Sequence, residues 1–192
     1  DPYFSSVRLS LLNRGYAFAL AHIRGGEYMG HQWYENGKLK EVGYYDKGLR
    51  VKEMTAYFSN GQPERIVNYK DGMKNGEYSK YREDGTSDYK TTYVKDVLNG
   101  PFIFYYKDGT MKEKGQHVDG KMNGEVHGFY QNGSPYFVAG VVDDVKNGPY
   151  TGFYKKGGKF IEAFYKDGKL NGKYTEYHNN EKIAITSAFV DN

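Results

Sequence analysis

The stretch "YKDGMKNGEYSKYREDG", Tyr69 to Gly85, combines turn residues with aromatic strand residues and determines the fold. It recurs as "HVDGKMNGEVHGFYQNG" and again as "YKDGKLNGKYTEYHNN". A glycine that follows an asparagine returns every 24 residues, at Gly76, Gly100, Gly124, Gly148 and Gly172. A fixed period of this length is typical of a chain that stacks copies of one supersecondary structure.

Three more columns of residues share the 24-residue period. A second glycine column breaks at Glu181 and comprises Gly37, Gly61, Gly85, Gly109, Gly133 and Gly157. The main aromatic column comprises Trp33, Tyr57, Tyr81, Tyr105, Phe129, Phe153 and Tyr177. Another column comprises Tyr45, Tyr69, Tyr93, His117, Val141, Tyr165 and Phe189. Together the columns define about seven repeats, of which the first and last are imperfect.

Each repeat contains two turn signals, separated by segments of strand length such as "TSDYKTTY". The first signal is an Asn-Gly or Asp-Gly step, as at Asn60-Gly61, Asp84-Gly85, Asp108-Gly109 and Asn132-Gly133. These steps predict two-residue type I′ turns, because Asn, Asp and Gly tolerate the positive φ that both central residues need. The second signal is longer, as in "KDGMKNG". One hairpin per repeat predicts an all-β, repetitive antiparallel β-hairpin meander of about 13 strands.

The spacing of Tyr78 and Tyr81 leaves a question about the two faces of the sheet. The tyrosines are three positions apart, so a regular strand would place them on opposite faces. Either a β-bulge realigns them on one face, or both faces carry aromatic rings. In both cases tyrosine supplies the apolar mass of a sheet that has no helices to pack against.

Composition supports a packed β protein and excludes several classes of function. The chain has 192 residues, and 17% of them are aromatic, which is enough to pack despite a mean hydropathy of −0.83. Its 27 cationic and 24 anionic side chains are mixed along the chain and give a net charge of +3, so nucleic-acid binding is not expected. The absence of cysteine excludes disulfides, thiol catalysis and cysteine metal ligands.

The repeat resembles a known family. The positions that carry the resemblance are Tyr69, Asp71-Gly72, Asn75-Gly76, Tyr81 and Asp84-Gly85. Together they resemble the MORN-repeat variant of bacterial proteins in the YwqK antitoxin family, over residues 27 to 192. The resemblance implies a MORN-like fold, a scaffold or antitoxin function in the bacterial cytoplasm, and no catalytic residues.

The first forty residues resemble instead a segment of oligopeptidase B, a serine peptidase of the prolyl oligopeptidase family. In that family a helix, a strand and a "HxRGG" loop occur in this order near the start of the α/β-hydrolase domain. The resemblance implies a short α/β segment here, with "SVRLSLLNRG" as the helix, "YAFALAHI" as the strand and "HIRGG" as the loop. The chain contains no Gly-x-Ser-x-Gly nucleophile elbow, so peptidase activity is not expected.

The string "WYENGKL", Trp33 to Leu39, fits both the peptidase segment and the repeat. It indicates a recombined or designed chimera, or a gene-model artefact. We therefore predict an N-terminal peptidase-like fragment over residues 1–26 and a repeat domain over residues 27–192. The apolar residues of the fragment, among them Leu9, Leu11 and Phe18, either cap the first edge of the repeat sheet or remain partly disordered.

No group of residues suggests catalysis, a metal site or a cofactor. The histidines lack metal-ligand spacing, and His117 occupies an aromatic column where a sheet residue is expected. Turn aspartates recur at Asp71, Asp119, Asp143 and Asp167. Regularly spaced aspartates can bind calcium, but one carboxylate per 24 residues is sparse. We expect these side chains to accept hydrogen bonds from their own turn backbone.

One further aromatic column is the candidate partner-binding site. It is broken by Arg82 and His178, and it comprises Tyr34, Phe58, Tyr106, Tyr130 and Tyr154. These residues directly follow the main aromatic column, so they face the other side of the sheet. Two interpretations are open: a second packed layer inside a coiled sheet, or an exposed aromatic ridge that suits protein contacts.

These observations and the resemblance favour a non-catalytic protein-binding repeat module. The leading hypothesis is the antitoxin of a bacterial toxin-antitoxin system, which binds its cognate toxin directly. The alternative is a structural scaffold at a membrane surface, because lysines near the longer turns could meet anionic lipid. These lysines are Lys70, Lys74, Lys121, Lys146, Lys166 and Lys169.

Overall fold

The computed structural model describes residues 8–12, 16–22 and 26–190, with side chains from residue 26 onward. Every regular element within these ranges is a β-strand, which confirms the all-β hairpin meander. Among the described residues, no helix has the length and apolarity that a membrane span requires. The chain divides into two units, residues 1–97 and residues 98–192.

In the first unit each strand pairs antiparallel with the next one along the chain. Its strands are β1 (Arg8–Leu12), β2 (Tyr16–His22), β3 (Glu27–Trp33), β4 (Leu39–Asp46), β5 (Leu49–Tyr57), β6 (Pro63–Lys70), β7 (Met73–Tyr81) and β8 (Ser87–Val94). The short strand β9 (Val97–Leu98) lies where the two units meet in the sequence.

The second unit continues the same hairpin pattern. Its strands are β10 (Gly100–Tyr105), β11 (Met111–Val118), β12 (Lys121–Met122), β13 (Gly124–Phe129), β14 (Pro135–Val142), β15 (Val145–Phe153), β16 (Lys159–Lys166), β17 (Lys169–Leu170), β18 (Gly172–Tyr177) and β19 (Ile183–Phe189). One asparagine separates each of β9, β12 and β17 from the strand that follows it. With each interrupted strand counted once, the described residues from 27 to 189 form fourteen strands, close to the expected number.

The N-terminal segment departs from the helix that the peptidase resemblance implied over residues 6–15. Within that stretch Arg8–Leu12 forms β1, which pairs antiparallel with β2. The expected strand is present as β2, and β2 pairs in turn with β3. The middle of the expected "HIRGG" loop, residues 23–25, lies outside the described residues. A helix here would need a parallel sheet to pack against. An extended chain instead forms hydrogen bonds with the backbone groups of β2 that would otherwise be unpaired at the edge of the sheet.

The Asn-Gly and Asp-Gly steps of the first turn signal form three-residue loops, so the type I′ prediction was wrong there. The amide of Gly37 donates to the carbonyl of Tyr34 (2.9 Å), and the amide of Tyr34 donates to the carbonyl of Lys38 (2.8 Å). Gly37 has a φ of +78°, whereas the φ of Asn36 is not positive. This is a type I turn closed by a G1 bulge. Asn36 favours it because its Oδ1 accepts from the amide of Lys38 (3.0 Å).

The type I′ geometry occurs instead inside the longer turn signal. Asp71 and Gly72 both have positive φ, +52° and +81°, and Lys70 pairs with Met73 directly across them. The same pair of positive φ values occurs at Asp119-Gly120 and Asp167-Gly168. The longer signal is therefore a tight two-residue turn followed by a separate irregularity in the strand.

The tight turns stack on one another from repeat to repeat. The amide of Gly168 donates to the carbonyl of Lys146 (2.9 Å), and the side chain of Asn147 donates to the carboxylate of Asp167 (3.3 Å). Equivalent side-chain bonds join Asn99 to Asp119 and Asn123 to Asp143. Three of the four turn aspartates thus accept bonds from the preceding repeat, contrary to the expectation that they bond to their own turn backbone.

The glycine column of the opening stretch marks a β-bulge. On β6, Val67 and Tyr69 are two positions apart, whereas their partners on β7, Tyr78 and Lys74, are four positions apart. The additional residues on β7 include Gly76, whose φ of +115° is a conformation that side chains other than glycine rarely adopt. The bulge explains why glycine recurs at this position of the repeat.

Tyr78 and Tyr81 lie on opposite faces of the sheet. The pairing of β7 with β8 shifts register between Lys80 and Tyr81, but the extra residue, Asp88, belongs to β8 and does not realign β7. Tyr78 is buried and Tyr81 is half-buried. A bulge is therefore present, and both faces nevertheless carry aromatic rings.

Each unit has its own small apolar core on one face of its strands. In the first unit the buried cluster comprises Met54, Ala56, Val67 and Tyr78. In the second unit it comprises Phe102, Val126, Ala139 and Val141. Half-buried aromatic residues pack against both clusters, so tyrosine and phenylalanine extend each core toward solvent.

Glycines inside the strands make room for large side chains on the neighbouring strand. Gly115 pairs with Phe102, and a Cβ at Gly115 would lie 2.9 Å from that ring. Gly128 pairs with Phe137, and a Cβ there would lie 2.2 Å from Cε1 of the ring. The strand glycines therefore serve close packing, in contrast to the turn glycines, which serve backbone conformation.

We predict that Gly128→Ala destabilises the protein by about 1 to 3 kcal/mol, the usual cost of overpacking a tight core. The φ of Gly128 is not positive, so the cost arises from contact with Phe137 and not from backbone strain. Urea unfolding should show a lower midpoint than the parent. The same substitution in a Phe137→Leu background should cost much less, and an equal cost in both backgrounds would contradict the packing explanation.

Candidate protein-binding edge

The three-residue loops stack along one edge of each unit, and tyrosine hydroxyls connect them. Tyr34, Tyr106, Tyr130 and Tyr154 each stand at the start of a loop and donate to a backbone carbonyl 23 residues later. The accepting carbonyls belong to the main aromatic column, at 2.6 to 2.8 Å from the hydroxyls. Each of these four bonds joins its repeat to the next and fixes the orientation of its ring.

Asparagine inside the loop adds a second connection between repeats. Oδ1 of Asn60 accepts from the amide of Gln62 (2.8 Å), and Nδ2 donates to the carbonyl of Glu83 in the next repeat (2.8 Å). The same two bonds occur at Asn36 and Asn132. The side chain thus shapes its own loop with one atom and holds the neighbouring loop with the other.

Aspartate cannot donate the bond that asparagine makes to the next repeat. Where aspartate occupies this loop position, neighbouring side chains donate hydrogen bonds to its carboxylate instead. The hydroxyl of Thr110 donates to Asp108 (2.6 Å), and the amide side chain of Gln131 in the next repeat donates to its other oxygen (2.5 Å). These bonds hold the pKa of the Asp108 carboxyl below its usual value, with the Thr110 hydroxyl as the largest cause. Asp84 has the same arrangement with Thr86.

In two of the three loops of the first unit, the residue six positions after the start of the loop contacts the starting residue. The ammonium of Lys40 lies 5.6 Å from the ring centroid of Tyr34, a cation–π contact. Asp88 accepts a hydrogen bond from Arg82 (2.8 Å), which starts the third loop. The same two loop positions therefore carry different chemistry in different repeats.

In the second unit this pair of positions is aromatic in two successive repeats. The ring centroids of Tyr130 and Tyr136 are 4.9 Å apart, and those of Tyr154 and Phe160 are 5.2 Å apart. The starting tyrosines are half-buried, whereas Tyr136 and Phe160 are 48% and 42% exposed. We call these four rings the aromatic edge. They present apolar surface to solvent on a hydrogen-bonded frame.

The tyrosine hydroxyls of the aromatic edge differ in whether they make hydrogen bonds within the protein. Burial is the larger cause and the neighbouring Tyr136 the smaller cause of a raised pKa at Tyr130, so its hydroxyl remains a donor at neutral pH. The Tyr136 hydroxyl has no hydrogen bond within the described part of the chain. It is therefore available to a ligand, whereas the hydroxyls of Tyr130 and Tyr154 serve the frame.

The structure places all five residues of the predicted partner-binding column in half-buried positions. These are Tyr34 and Phe58 in the first unit and Tyr106, Tyr130 and Tyr154 in the second. The packed-layer and the exposed-ridge interpretations each describe part of the column, and its partner-binding role stays a prediction. Sequence reasoning missed Tyr136 and Phe160, although they are 24 residues apart and each follows a column residue by six positions.

The lysines considered for membrane contact have varied surroundings. The ammonium of Lys74 lies 4.9 Å from the ring centroid of Tyr93, and that of Lys146 lies 4.7 Å from that of Tyr150. Lys121 lies 3.4 Å from Asp143. Half of these lysines are therefore engaged with the protein itself. Within the described part of the chain, no group of three His, Asp or Glu side chains is placed to hold a metal ion.

Comparisons with known proteins show that two parts of this chain are similar to two different families. The sequence profile of the Prolyl oligopeptidase family matches residues 2–69, and that of the MORN repeat variant matches residues 98–119. Dipeptidyl aminopeptidase BI of Pseudoxanthomonas mexicana is 62% identical over 39 residues, which are 20% of this chain and 5% of that protein. Protease 2 of Moraxella lacunata is 50% identical over 40 residues, which are 21% of this chain and 6% of that protein.

The similarity to the two peptidases is confined to a small part of each. The chain spans 5% and 6% of their lengths, so it is similar to a fragment of each peptidase. The second profile lies entirely in the second unit, which also contains the aromatic edge. The two matches support the interpretation of the chain as a short peptidase-like N-terminal segment joined to a MORN-type repeat.

We predict that Tyr154→Phe destabilises the protein by about 1 kcal/mol, because it removes the hydroxyl that satisfies the carbonyl of Tyr177. Tyr136→Phe is the matched control, since it removes a hydroxyl from the same edge that makes no hydrogen bond within the described residues. Urea unfolding midpoints of the two variants and the parent provide the measurement. Equal effects of the two substitutions would show that the hydroxyl bond between repeats does not stabilise the stack.

We predict that the Asp108 carboxyl titrates below its ordinary pKa of 3.8 and that Thr110→Val raises its pKa. Because the folded pKa is lowered, the stabilisation from Asp108 is present above pH 3.8 and is lost as the pH falls through the folded value. Carboxyl carbon chemical shifts, followed by NMR across this pH range, give both values. Asp84, whose donor Thr86 is unchanged in the variant, should titrate as in the parent.

Proposed function

We propose that this chain is a non-catalytic repeat module that binds a protein partner through the aromatic edge. The observation that carries the proposal is the packing of two exposed rings, Tyr136 and Phe160, on two tyrosines that are anchored by hydrogen bonds. Rigid aromatic side chains lose little conformational entropy on binding and are typical anchors of protein interfaces. A partner would therefore find a preorganised apolar surface here.

We propose further that the partner is a toxin and that the chain is its antitoxin, acting by occlusion in the bacterial cytoplasm. The match of residues 98–119 to the MORN repeat variant supports a repeat module of this kind. Neutralisation by direct binding requires a surface and no catalytic group. The peptidase-like segment supports no hydrolytic role, because the chain has no Gly-x-Ser-x-Gly elbow to carry a serine nucleophile.

The test is co-expression of this chain with the protein encoded by the neighbouring gene. We expect the neighbouring protein to arrest growth alone, and we expect this chain to restore growth and to co-purify with it. The double variant Tyr136→Ser with Phe160→Ser should lose both rescue and co-purification. Growth arrest that persists with the parent chain, together with no co-purification, would contradict the antitoxin role.

The matched control is Phe164→Ser. Phe164 is 46% exposed, close to the exposure of Tyr136 and Phe160. It neighbours the buried Ala163, so it faces the opposite side of the sheet from the core. This variant should rescue growth as the parent does. Loss of rescue in both variants would indicate a general effect on folding, and circular dichroism with thermal melting would identify such an effect.

A further inference from the structure

We propose that the aromatic edge binds an acidic, proline-rich segment in the polyproline II conformation. The inference rests on the proposed protein-binding function and names the chemistry of the partner. It draws on the spacing of the aromatic pairs, on the charge of the loops that carry them and on the free hydroxyl of Tyr136. Each of these properties belongs to the second unit alone.

The spacing of the two aromatic pairs fits one peptide conformation. The pairs occupy equivalent positions in successive repeats, which are separated by two strands, or about 9.6 Å. Polyproline II brings every third residue to the same side at intervals of about 9.3 Å. An extended β-strand repeats on one side every ~6.7 Å, and an α-helix rises about 5.4 Å per turn. Polyproline II is therefore the regular conformation that places successive prolines against both pairs.

The shape of the pairs suits proline rings. Tyr130 and Tyr136 are tilted by 56°, and Tyr154 and Phe160 by 62°, so each pair presents an angled surface. Aromatic grooves of this kind receive prolines in recognised polyproline II ligands. Polyproline II leaves its carbonyls without internal partners, and the Tyr136 hydroxyl, which makes no hydrogen bond within the described residues, can donate to one of them.

The charge of the loops selects an acidic ligand. In the second unit the seven-residue loop segments 106–112, 130–136, 154–160 and 178–184 contain six lysines and two carboxylates. The lysines are all exposed and comprise Lys107, Lys112, Lys155, Lys156, Lys159 and Lys182. In the first unit the equivalent segments 34–40, 58–64 and 82–88 contain three cations and five carboxylates. The loops of the second unit, which carry the aromatic edge, are thus net basic, whereas the equivalent loops of the first unit are net acidic.

The test measures binding of labelled peptides to the full chain by fluorescence anisotropy at low and moderate salt. The probes are a peptide repeating Asp-Pro-Pro, a peptide repeating Asp-Gly-Gly with the same charge, and a peptide repeating Lys-Pro-Pro with the opposite charge. We expect the Asp-Pro-Pro peptide to bind most tightly and to weaken as salt rises. Tyr136→Ser with Phe160→Ser should weaken its binding by about tenfold or more, as loss of aromatic anchors does. Phe164→Ser should leave binding unchanged.

Several outcomes would overturn the inference. Equal binding of the Asp-Gly-Gly peptide would mean that charge alone is recognised, and equal or tighter binding of the Lys-Pro-Pro peptide would mean that the edge does not select acidic ligands. No binding of the Asp-Pro-Pro peptide would reject the inference outright. The result is separable from the antitoxin proposal. Growth rescue without peptide binding would retain the antitoxin role and reject this ligand, whereas peptide binding without rescue would retain this ligand and reject the antitoxin role.

Discussion

Hydrogen bonds between successive repeats, from loop tyrosines and from loop and turn asparagines, are the interactions on which the rest of the structure depends. An isolated hairpin is at best marginally stable, and each repeat contacts mainly its neighbours. The apolar cores are small, with four buried residues in each cluster. Bonds such as Tyr154 to Tyr177 at the loop edge, and Asn147 to Asp167 at the tight-turn edge, therefore fasten the stack at both ends of its strands. They also keep the loops of successive repeats in register.

The period, the strands and the hairpin pattern could be predicted because glycine and aromatic residues recur at fixed positions. The turn types could not, because an Asn-Gly or Asp-Gly step occurs in three different backbone geometries. Asn60-Gly61 closes a three-residue loop, Asp71-Gly72 forms a type I′ turn, and Asn75-Gly76 marks a bulge. The loop form prevails at Asn60 because its side chain bonds both to its own loop and to the next repeat. A rule based on two residues contains no information about that second partner.

The residues of the candidate site could likewise be predicted only in part from the sequence. The column that contains Tyr130 and Tyr154 was visible because its aromatic character recurs through most repeats. The column that contains Tyr136 and Phe160 was not, because it changes chemistry from repeat to repeat: Lys40, Glu64, Asp88, Lys112, Tyr136, Phe160 and Ala184. What its described members share is a position across the loop from the starting residue, and that relation appears only once the loop geometry is known.

The two columns of residues at this edge have different roles, one in stability and the other in the exposed surface. Positions that bond to the next repeat, such as that of Tyr130, are constrained because their hydroxyls satisfy backbone carbonyls. For the positions six residues later, such as those of Tyr136 and Phe160, the described contacts are with the starting ring of the same loop and not with the next repeat, so they can change without loosening the stack. The spacing between repeats, about 9.6 Å, is set by strand pairing and does not depend on these side chains. A stacked hairpin of this kind can therefore keep one frame while its loop segments change from net acidic in the first unit to net basic, with exposed aromatic rings, in the second. The variable column, and not the regular one, is where differences in partner between such proteins would arise.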